Sequence, residues 1–258
     1  MEPSPISVCV IAGNEAHRIH RALASVADWT AEIVIVLNDT VNDHTDKIAT
    51  QFGAKIFREP WKGFGRQKQS AVEKCTQPWV LNLDADEAVS PRLRREIQQL
   101  LADDKRRATH AAYSFPRCSF YCGRWIRHGD WYPDRQIRLW CRGQATWSPA
   151  IIHEKLQVTG TIGRLHGDLL HFSNASINQH VQKIIPFSDE FVRQKAGPPP
   201  GLLTMLLRPG WRFFRAYFLK RGFLDGWQGY YIACVNAFSA ATRYAKVREA
   251  HLPPSEKA

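Results

Sequence analysis

The sequence lacks the features that mark a secreted, oxidised or membrane-spanning protein. Its six cysteines are scattered, and none forms the C-x-x-C pair of zinc ribbons and redox sites. The amino terminus enters an apolar run without the basic start of a secretory signal. The longest charge-free run near the carboxy terminus, residues 226–242, is shorter than the roughly 20 residues that a spanning helix needs. We therefore expect free thiols and a location on the cytoplasmic side of a membrane.

Several nucleotide and metal motifs are also missing. The chain has no Walker loop and no G-x-G-x-x-G after a strand, which disfavours P-loop ATPases and dinucleotide enzymes. Val89 stands where a calcium-binding EF-hand loop requires glycine. The spacing of Cys118, Cys122, His128 and Cys141 matches no recurring zinc site.

The composition is that of an ordinary globular protein with a strong positive charge. The chain of 258 residues is 44% hydrophobic and 23% charged, and its net charge is +11. The length favours one domain or one domain with an appended element. The charge predicts a partner that carries phosphate or anionic lipid.

The first hundred residues alternate between short β-branched runs and segments with helical spacing. This order predicts an α/β fold with a mostly parallel sheet covered by helices. The predicted strands are residues 6–12, 32–37, 54–58 and 79–83, and the predicted helices are residues 14–27, 43–53, 67–75 and 91–101. Asp43 and Ser90 are the expected caps of the second and fourth helices. From residue 111 onward, short extended pieces rich in aromatic and basic residues are expected to receive a second substrate.

The carboxy-terminal segment combines positive charge with aromatic side chains. Residues 201–250 contain eight Lys or Arg and two acidic residues, a net charge of 8 − 2 = +6, and eleven of the 29 aromatic residues. A helix of this composition can bury its apolar face among acyl chains while its charges meet anionic headgroups. We expect this segment to lie on a membrane without crossing it.

Asp84 and Asp86 directly follow the fourth predicted strand, and ligands of open α/β sheets bind at the carboxyl ends of strands. Two aspartates separated by one residue can direct oxygen ligands toward a divalent cation that also binds substrate phosphates. The alternative is an acidic turn before the next helix.

Four stretches, taken in order, resemble the inverting, nucleotide-sugar-dependent glycosyltransferases of family 2, whose fold is called GT-A. They are Asn14-Glu15 after the first strand, Asp43-His44-Thr45 after the second, residues 61–68 (WKGFGRQK) and residues 79–87 (WVLNLDADE). Residues 128–140, His153-Glu154 and residues 221–227 look like the subgroup that adds β-1,4-linked glucose to the first heptose of the lipopolysaccharide inner core.

The resemblance implies a GT-A domain over residues 1–196 and a helical, membrane-associating extension over residues 197–258. The nucleotide-sugar half would be residues 1–105 and the acceptor half residues 106–196. It further implies UDP-glucose as donor, Mg²⁺ or Mn²⁺ as cofactor, and a lipid A-core acceptor at the anionic cytoplasmic face of the bacterial inner membrane. No nucleic acid is expected as a partner, and exposed aromatic surface leaves self-association open.

The resemblance also assigns roles to individual residues. The expected metal ligands are Asp84, Asp86 and His171, and the base would be Glu154 or, second, Asp130. The expected donor contacts are Ala12, Asn14, Glu15, Asn38, Arg66, Lys68, Asp84, Arg135 and Arg138. Asn38 stands where the family usually has an aspartate that contacts the base, and an amide can also hydrogen-bond a uracil edge.

Each assignment has an ordinary structural alternative. Glu154 could be a solvated carboxylate beside Lys155, and His171 a hydrogen-bonded core residue. Arg135 and Arg138 could form only a basic strand face. At the level of the whole chain, the alternatives are a transferase acting on a polyprenyl phosphate and a non-enzymatic module that binds anionic lipid or nucleic acid.

Overall fold

The computed structural model describes residues 2–148, 155–174, 176–194 and 198–253. The chain forms two compact units, one made of residues 1–117 and 134–171 and the other of residues 118–133 and 172–258. The boundary predicted after residue 196 falls among residues 195–197, outside the described residues.

The described residues form an α/β fold, as expected. The strands are β1 (Ser4–Ala12), β2 (Thr30–Asn38), β3 (Lys55–Glu59), β4 (Trp79–Asn82), β5 (Glu87–Val89), β6 (Ala112–Tyr121), β7 (Arg124–Ile126), β8 (Asp134–Cys141), β9 (Ala145–Trp147), β10 (Leu156–Val158), β11 (Ile162–Arg164) and β12 (Leu169–Asn174). The α-helices are α1 (Ile19–Ala24), α2 (Thr45–Gln51), α3 (Phe64–Glu73), α4 (Pro91–Ala102), α5 (Asp104–Arg107), α6 (Ile177–Gln182), α7 (Ile184–Gln194), α8 (Leu202–Phe214) and α9 (Gly226–Ala250).

The main sheet has the strand order β3-β2-β1-β4-β8-β6-β12-β5, with β7 and β11 paired to β6. Strands β1 to β4 are mutually parallel, which confirms the predicted first half. β8 runs antiparallel to both β4 and β6, so the parallel run from β3 to β4 ends there, while β11 pairs with β6 in parallel. β9 and β10 form a separate antiparallel pair.

Burial explains the strands of the parallel part. Residues 6–12 of β1 are all buried, which is the pattern of a parallel strand covered on both faces. α4 begins as predicted, because the Ser90 hydroxyl accepts a hydrogen bond from the Leu93 amide and Pro91 occupies the first helical position.

The first helix is shorter than predicted and begins at Ile19 instead of residue 14. Side-chain contacts hold the preceding turn out of the helix: Asn14 Oδ1 accepts from the Asn42 amide at 3.0 Å, and Asp43 Oδ2 accepts from the Ala16 amide at 2.9 Å. Asp43 is therefore tied to that turn, and the residue at the N-cap of α2 is His44, with φ of 70°.

The second unit contains α6 to α9, with α7 and α8 both packed on α9. A 3₁₀ turn (Gly129–Trp131), a π-helical turn (Arg215–Leu219) and a second 3₁₀ turn (Gly222–Asp225) complete it. Within the described ranges, none of the helices has the length and apolar character that crossing a membrane requires.

Candidate active site

The carboxyl ends of β1, β2 and β4 bring several predicted residues to one edge of the sheet. Ala12 ends β1, Asn38 ends β2, and Leu83-Asp84 follow β4. Because these strands are parallel, their ends face the same side, where α/β proteins bind ligands.

Asp84 lies between two buried cations. Its Oδ2 is 2.6 Å from Arg138 Nη2, and its Oδ1 is 3.2 Å from Lys68 Nζ. The side chains of Lys68 and Arg138 are 6% and 5% exposed. Burial opposes ionisation of Asp84, but Arg138 and Lys68 outweigh it and hold the pKa of this carboxyl well below its ordinary value.

Arg138 connects three side chains beneath this edge. It donates from Nη1 to Asn82 Oδ1 at 2.8 Å and from Nη2 to Glu87 Oε1 at 3.0 Å, in addition to Asp84. Burial raises the pKa of Glu87, with a further contribution from the Asp84 charge, although Arg138 acts in the opposite direction. Glu87 Oε2 also accepts from the Asp84 amide at 3.1 Å, which fixes the turn between the two carboxylates.

Asp86 has a different electrostatic environment. Its Oδ2 is 3.6 Å from His171 Nε2 and 3.8 Å from Arg18 Nη1, and its side chain is 18% exposed. Burial raises the pKa of Asp86, and the neighbouring Asp84 charge raises it further against the opposing effect of Arg18. Arg18 is itself held by a bidentate ion pair with Glu15.

The predicted donor-binding residues near the first two strands support the loops that border the site. The Glu15 amide donates to Thr45 Oγ1 at 2.9 Å, which joins the turn after β1 to the start of α2. Asn38 Oδ1 accepts from the Thr40 amide at 3.2 Å and thereby shapes the loop after β2.

α3 presents Lys68 and Arg66 differently. Lys68 is buried, and its Nζ lies 4.8 Å from the ring centroid of Trp147. Arg66 is exposed and borders a cavity of ≈ 250 Å³ that Lys62, Gln69, Ser70, Glu73 and Trp147 also line.

The remaining candidates have other polar partners or fall outside the described residues. Arg135 Nη2 donates to the carbonyl oxygens of Ser114 and Leu165, at 2.9 and 2.7 Å. Asp130 lies in the second unit and pairs with Arg215 and Lys220. Glu154, the first choice for the base, falls within residues 149–154, which are outside the described residues, and its role stays a prediction.

The side chains around Asp86 fit a divalent cation. Carboxylates and imidazoles are common ligands of such ions. Burial and, after it, the Asp84 charge raise the pKa of Asp86, and a bound cation would favour the ionised carboxylate. Across the described ranges, no three His, Cys, Asp or Glu side chains converge into a complete metal site. Substrate phosphates would therefore have to supply further ligands.

Comparison with known proteins identifies the family of this fold. The model of "Glycosyl transferase family 2" matches residues 7–156, which include most of β1, the strands β2 to β9 and both aspartates. The chain belongs to glycosyl transferase family 2. An uncharacterized glycosyltransferase of Rickettsia typhi is 31% identical over 258 residues, covering 96% of this chain and 88% of that protein.

Family 2 relatives include one named for its pathway. The lipopolysaccharide core biosynthesis glycosyltransferase LpsC of Rhizobium meliloti is 28% identical over 255 residues, covering 96% of this chain and 93% of LpsC. Among solved structures, the mannosyltransferase PcManGT of Pyrobaculum calidifontis, in complex with GDP-Man and Mn²⁺, has a TM-score of 0.54 and 13% identity over 98% of this chain and 90% of that chain. This likeness confirms the GT-A fold.

Two residues of the site, Asn82 and Arg18, were missed by sequence reasoning. Asn82 is fully buried between Arg138 and the Cys9 carbonyl, to which its Nδ2 donates at 3.1 Å. Arg18 joins Glu15 to Asp86. Two signals were available: an amide inside an otherwise apolar strand, and a Glu–Arg pair at the i,i+3 spacing of a turn.

Proposed function

We propose that this family 2 enzyme transfers glucose from UDP-glucose to a heptose of the lipopolysaccharide inner core, with inversion at the sugar. The observation that carries the proposal is the contrast at the sheet edge, where Asp84 is neutralised by Lys68 and Arg138 while Asp86 faces His171. The similarity to LpsC supports a lipopolysaccharide-core acceptor. The resemblance of residues 128–140 and 221–227 to the heptose glucosyltransferase subgroup supports glucose as the transferred sugar and heptose as the acceptor. The Asn38 amide could hydrogen-bond the uracil edge of a UDP donor.

The donor's diphosphate would need positive charge as it departs. Asp86 and His171 would hold a divalent cation, which stabilises the negative charge on a leaving diphosphate. The Mn²⁺ bound by PcManGT supports this assignment. Lys68 and Arg138 keep Asp84 ionised, so its carboxylate can accept hydrogen bonds from a ribose or approach the cation.

Deprotonation of the acceptor hydroxyl requires a carboxylate near its reactive oxygen. Glu154 remains our proposed base. Asp130 is a weaker candidate, because Lys220 and Arg215 lower the pKa of its carboxyl despite burial, and a lower pKa makes a poorer proton acceptor.

An enzymatic assay tests the donor, the acceptor and the cation together. We expect Mn²⁺- or Mg²⁺-dependent transfer of labelled glucose from UDP-glucose to a heptose-terminated acceptor. Asp86→Asn should lower kcat/KM by at least about a hundredfold if the cation supplies several kcal/mol to the transition state. The matched control is Asp28→Asn, because Asp28 is 62% exposed and pairs only with Arg94 among the described side chains.

Retained turnover in Asp86→Asn would contradict the cation assignment. Labelling of a polyprenyl phosphate instead of the heptose acceptor would favour the alternative lipid-carrier substrate. A native enzyme that used another nucleotide sugar in preference to UDP-glucose would refute the donor assignment.

We also propose that the enzyme docks on the cytoplasmic face of the inner membrane through α8. Apolar side chains on one face of this helix are 44–73% exposed, namely Leu202, Leu203, Leu206, Leu207, Trp211 and Phe214. Arg208 and Arg212 of α8, and Arg215 at the start of the π-helical turn that follows, recur at intervals of four and three residues beside that face. An exposed apolar face with a basic flank is typical of helices that lie in a membrane interface.

Vesicle flotation tests the docking face. Leu203 and Leu207 are 69% and 60% exposed, so Leu203→Glu and Leu207→Glu should leave the fold intact and release the protein from anionic vesicles. Asp28→Asn again serves as the control. If the double variant Leu203→Glu/Leu207→Glu floats with anionic vesicles as the native protein does, docking through α8 is refuted.

A further inference from the structure

In the second unit, three cations surround a single carboxylate. Asp130 is 8% exposed and receives two hydrogen bonds from Arg215 Nη2, at 2.9 and 2.8 Å. Lys220 Nζ lies 3.0 Å from its Oδ1, and Arg212 Nε lies 3.9 Å from its Oδ2. Since one carboxylate cannot balance these side chains, the group carries excess positive charge.

Arg243 lies on α9, the helix against which α8, the helix of Arg212, packs. Burial lowers the pKa of Arg243, and the charge of Arg212 lowers it further, so the two guanidinium groups repel each other. Of the four cations, Arg212, Arg215 and Lys220 lie within 4.0 Å of Asp130, the only carboxylate of the described residues that pairs with any member of the cluster. The sum is four positive charges against one negative charge, a local excess of 4 − 1 = +3.

Unused hydrogen-bond donors accompany the excess charge. The Nε atoms of Arg212, Arg215 and Arg243 are buried, and within the part of the chain that the structure describes none has a hydrogen-bond acceptor. Buried donors without partners are costly, and they leave these guanidinium groups short of acceptors. The outer ends of Arg212, Arg215 and Lys220 stay accessible, with side chains 38%, 40% and 45% exposed.

The backbone holds the cluster in place. The Gly129 amide donates to the Lys220 carbonyl at 2.9 Å, which joins the turn carrying Asp130 to the end of the π-helical turn. The Lys220 amide donates to the Arg215 carbonyl at 2.8 Å. Arg243 is supported separately, because its guanidinium carbon lies 5.7 Å from the Phe191 ring centroid. The cations are therefore arranged before any ligand arrives.

We propose that Arg212, Arg215, Lys220 and Arg243 form a binding site for a phosphate monoester, with Asp130 as a positioning residue. Arginine forks match phosphate oxygens in a bidentate manner, and a dianion would offset most of the excess charge. The phosphate could belong to a lipid headgroup or to a water-soluble phosphorylated sugar. The test of this site is independent of the proposed glycosyl transfer, because phosphate binding can be measured without a sugar donor and without turnover.

Titration of the full-length protein with inorganic phosphate, followed by calorimetry, tests the soluble source. Flotation with phosphatidylcholine vesicles, with or without phosphatidic acid, tests the lipid source. Arg212→Gln and Arg243→Gln should each weaken phosphate binding about tenfold or more, the loss expected for one charge-assisted contact. The affinity should also fall as salt increases.

Arg193→Gln is the matched control, since Arg193 is 68% exposed and pairs with Glu190 on α7. Thermal unfolding checks that each variant is folded, and Arg243→Lys, which keeps the charge but loses the fork, should bind with intermediate affinity. If the two Arg→Gln variants lose binding of inorganic phosphate only, the natural ligand is water-soluble. If they lose binding of phosphatidic acid vesicles only, the ligand is a lipid headgroup. The proposal fails if the native protein binds neither probe, or if Arg212→Gln and Arg243→Gln bind as Arg193→Gln does.

Discussion

Arg138→Met should destabilise the first unit strongly. Methionine fills a similar volume but removes the charge that faces Asp84 and Glu87, whose side chains are 27% and 0% exposed. It also removes the donor to Asn82 Oδ1. Breaking one side of a buried ion pair costs about 3–5 kcal/mol, because the remaining charge stays desolvated. That is a large fraction of the roughly 5–15 kcal/mol that stabilises a typical domain.

A second substitution separates the charge effect from a packing effect. Glu87→Gln removes the more deeply buried carboxylate, and its amide oxygen can still accept from the Asp84 amide, as Glu87 Oε2 does. The double variant Arg138→Met/Glu87→Gln should therefore recover about half of the loss, with a coupling energy of about 1–3 kcal/mol. The surface control is Arg92→Met, since Arg92 is 66% exposed and its pair with Glu96 is worth less than about 1 kcal/mol.

The pH dependence gives a further check. Burial already raises the pKa of Glu87, and loss of Arg138 would raise it more. A carboxyl whose pKa is higher in the folded than in the unfolded state takes up a proton on folding, so the deficit of Arg138→Met should shrink as pH falls from 7 toward about 4. Urea unfolding, followed by tryptophan fluorescence at each pH, measures the free energy of unfolding of Arg138→Met and of the native protein. A deficit below about 1 kcal/mol, or one that grows on acidification, would refute the argument.

Two further substitutions test the packing and the pH response. Gly229→Ala should lower the thermal midpoint markedly, because an added Cβ would lie 1.9 Å from the Gly222 carbonyl oxygen. The control is Gly210→Ala in α8, where an added Cβ has nothing within 4 Å; it should be neutral or stabilising by up to about 1 kcal/mol. Lys55 and other hydrogen-bond donors lower the pKa of Glu32 to about 2 despite burial. Glu32 should therefore contribute stability that is complete above pH of about 4.5 and is lost as pH falls toward 2. Urea titrations of native protein and Glu32→Gln should differ by up to about 3 kcal/mol at pH 7 and converge near pH 2.

The parallel half of the fold was predictable because burial leaves a direct record in the sequence. Apolar runs such as residues 6–12 are required for a strand covered on both faces, and Ser90-Pro91 carries the chemistry of a helix start. The start of α1 was not predictable, because the contacts of Asn14 and Asp43 join residues about 28 positions apart in the sequence. Local periodicity holds no information on such contacts.

The position of the candidate site could be predicted from the sequence, but the charged partners of its carboxylates could not. The position of Asp84 and Asp86 after β4 fixed the edge of the sheet. Arg138 is 54 residues from Asp84, and only the antiparallel pairing of β8 with β4 brings it beneath the carboxylate. The roles of Asn82 and Arg18 depend on the same three-dimensional arrangement.

The two aspartates of the motif have different electrostatic surroundings. Lys68 and Arg138 lower the pKa of Asp84 and neutralise its charge, so it adds little attraction for a further cation. Burial raises the pKa of Asp86, and the charge of Asp84 raises it further; its neighbours are His171 and Arg18. A divalent cation would be repelled by the Lys68–Arg138 side and attracted to the Asp86–His171 side. Under the proposed function, this asymmetry would make Asp86 the principal ligand of the cation.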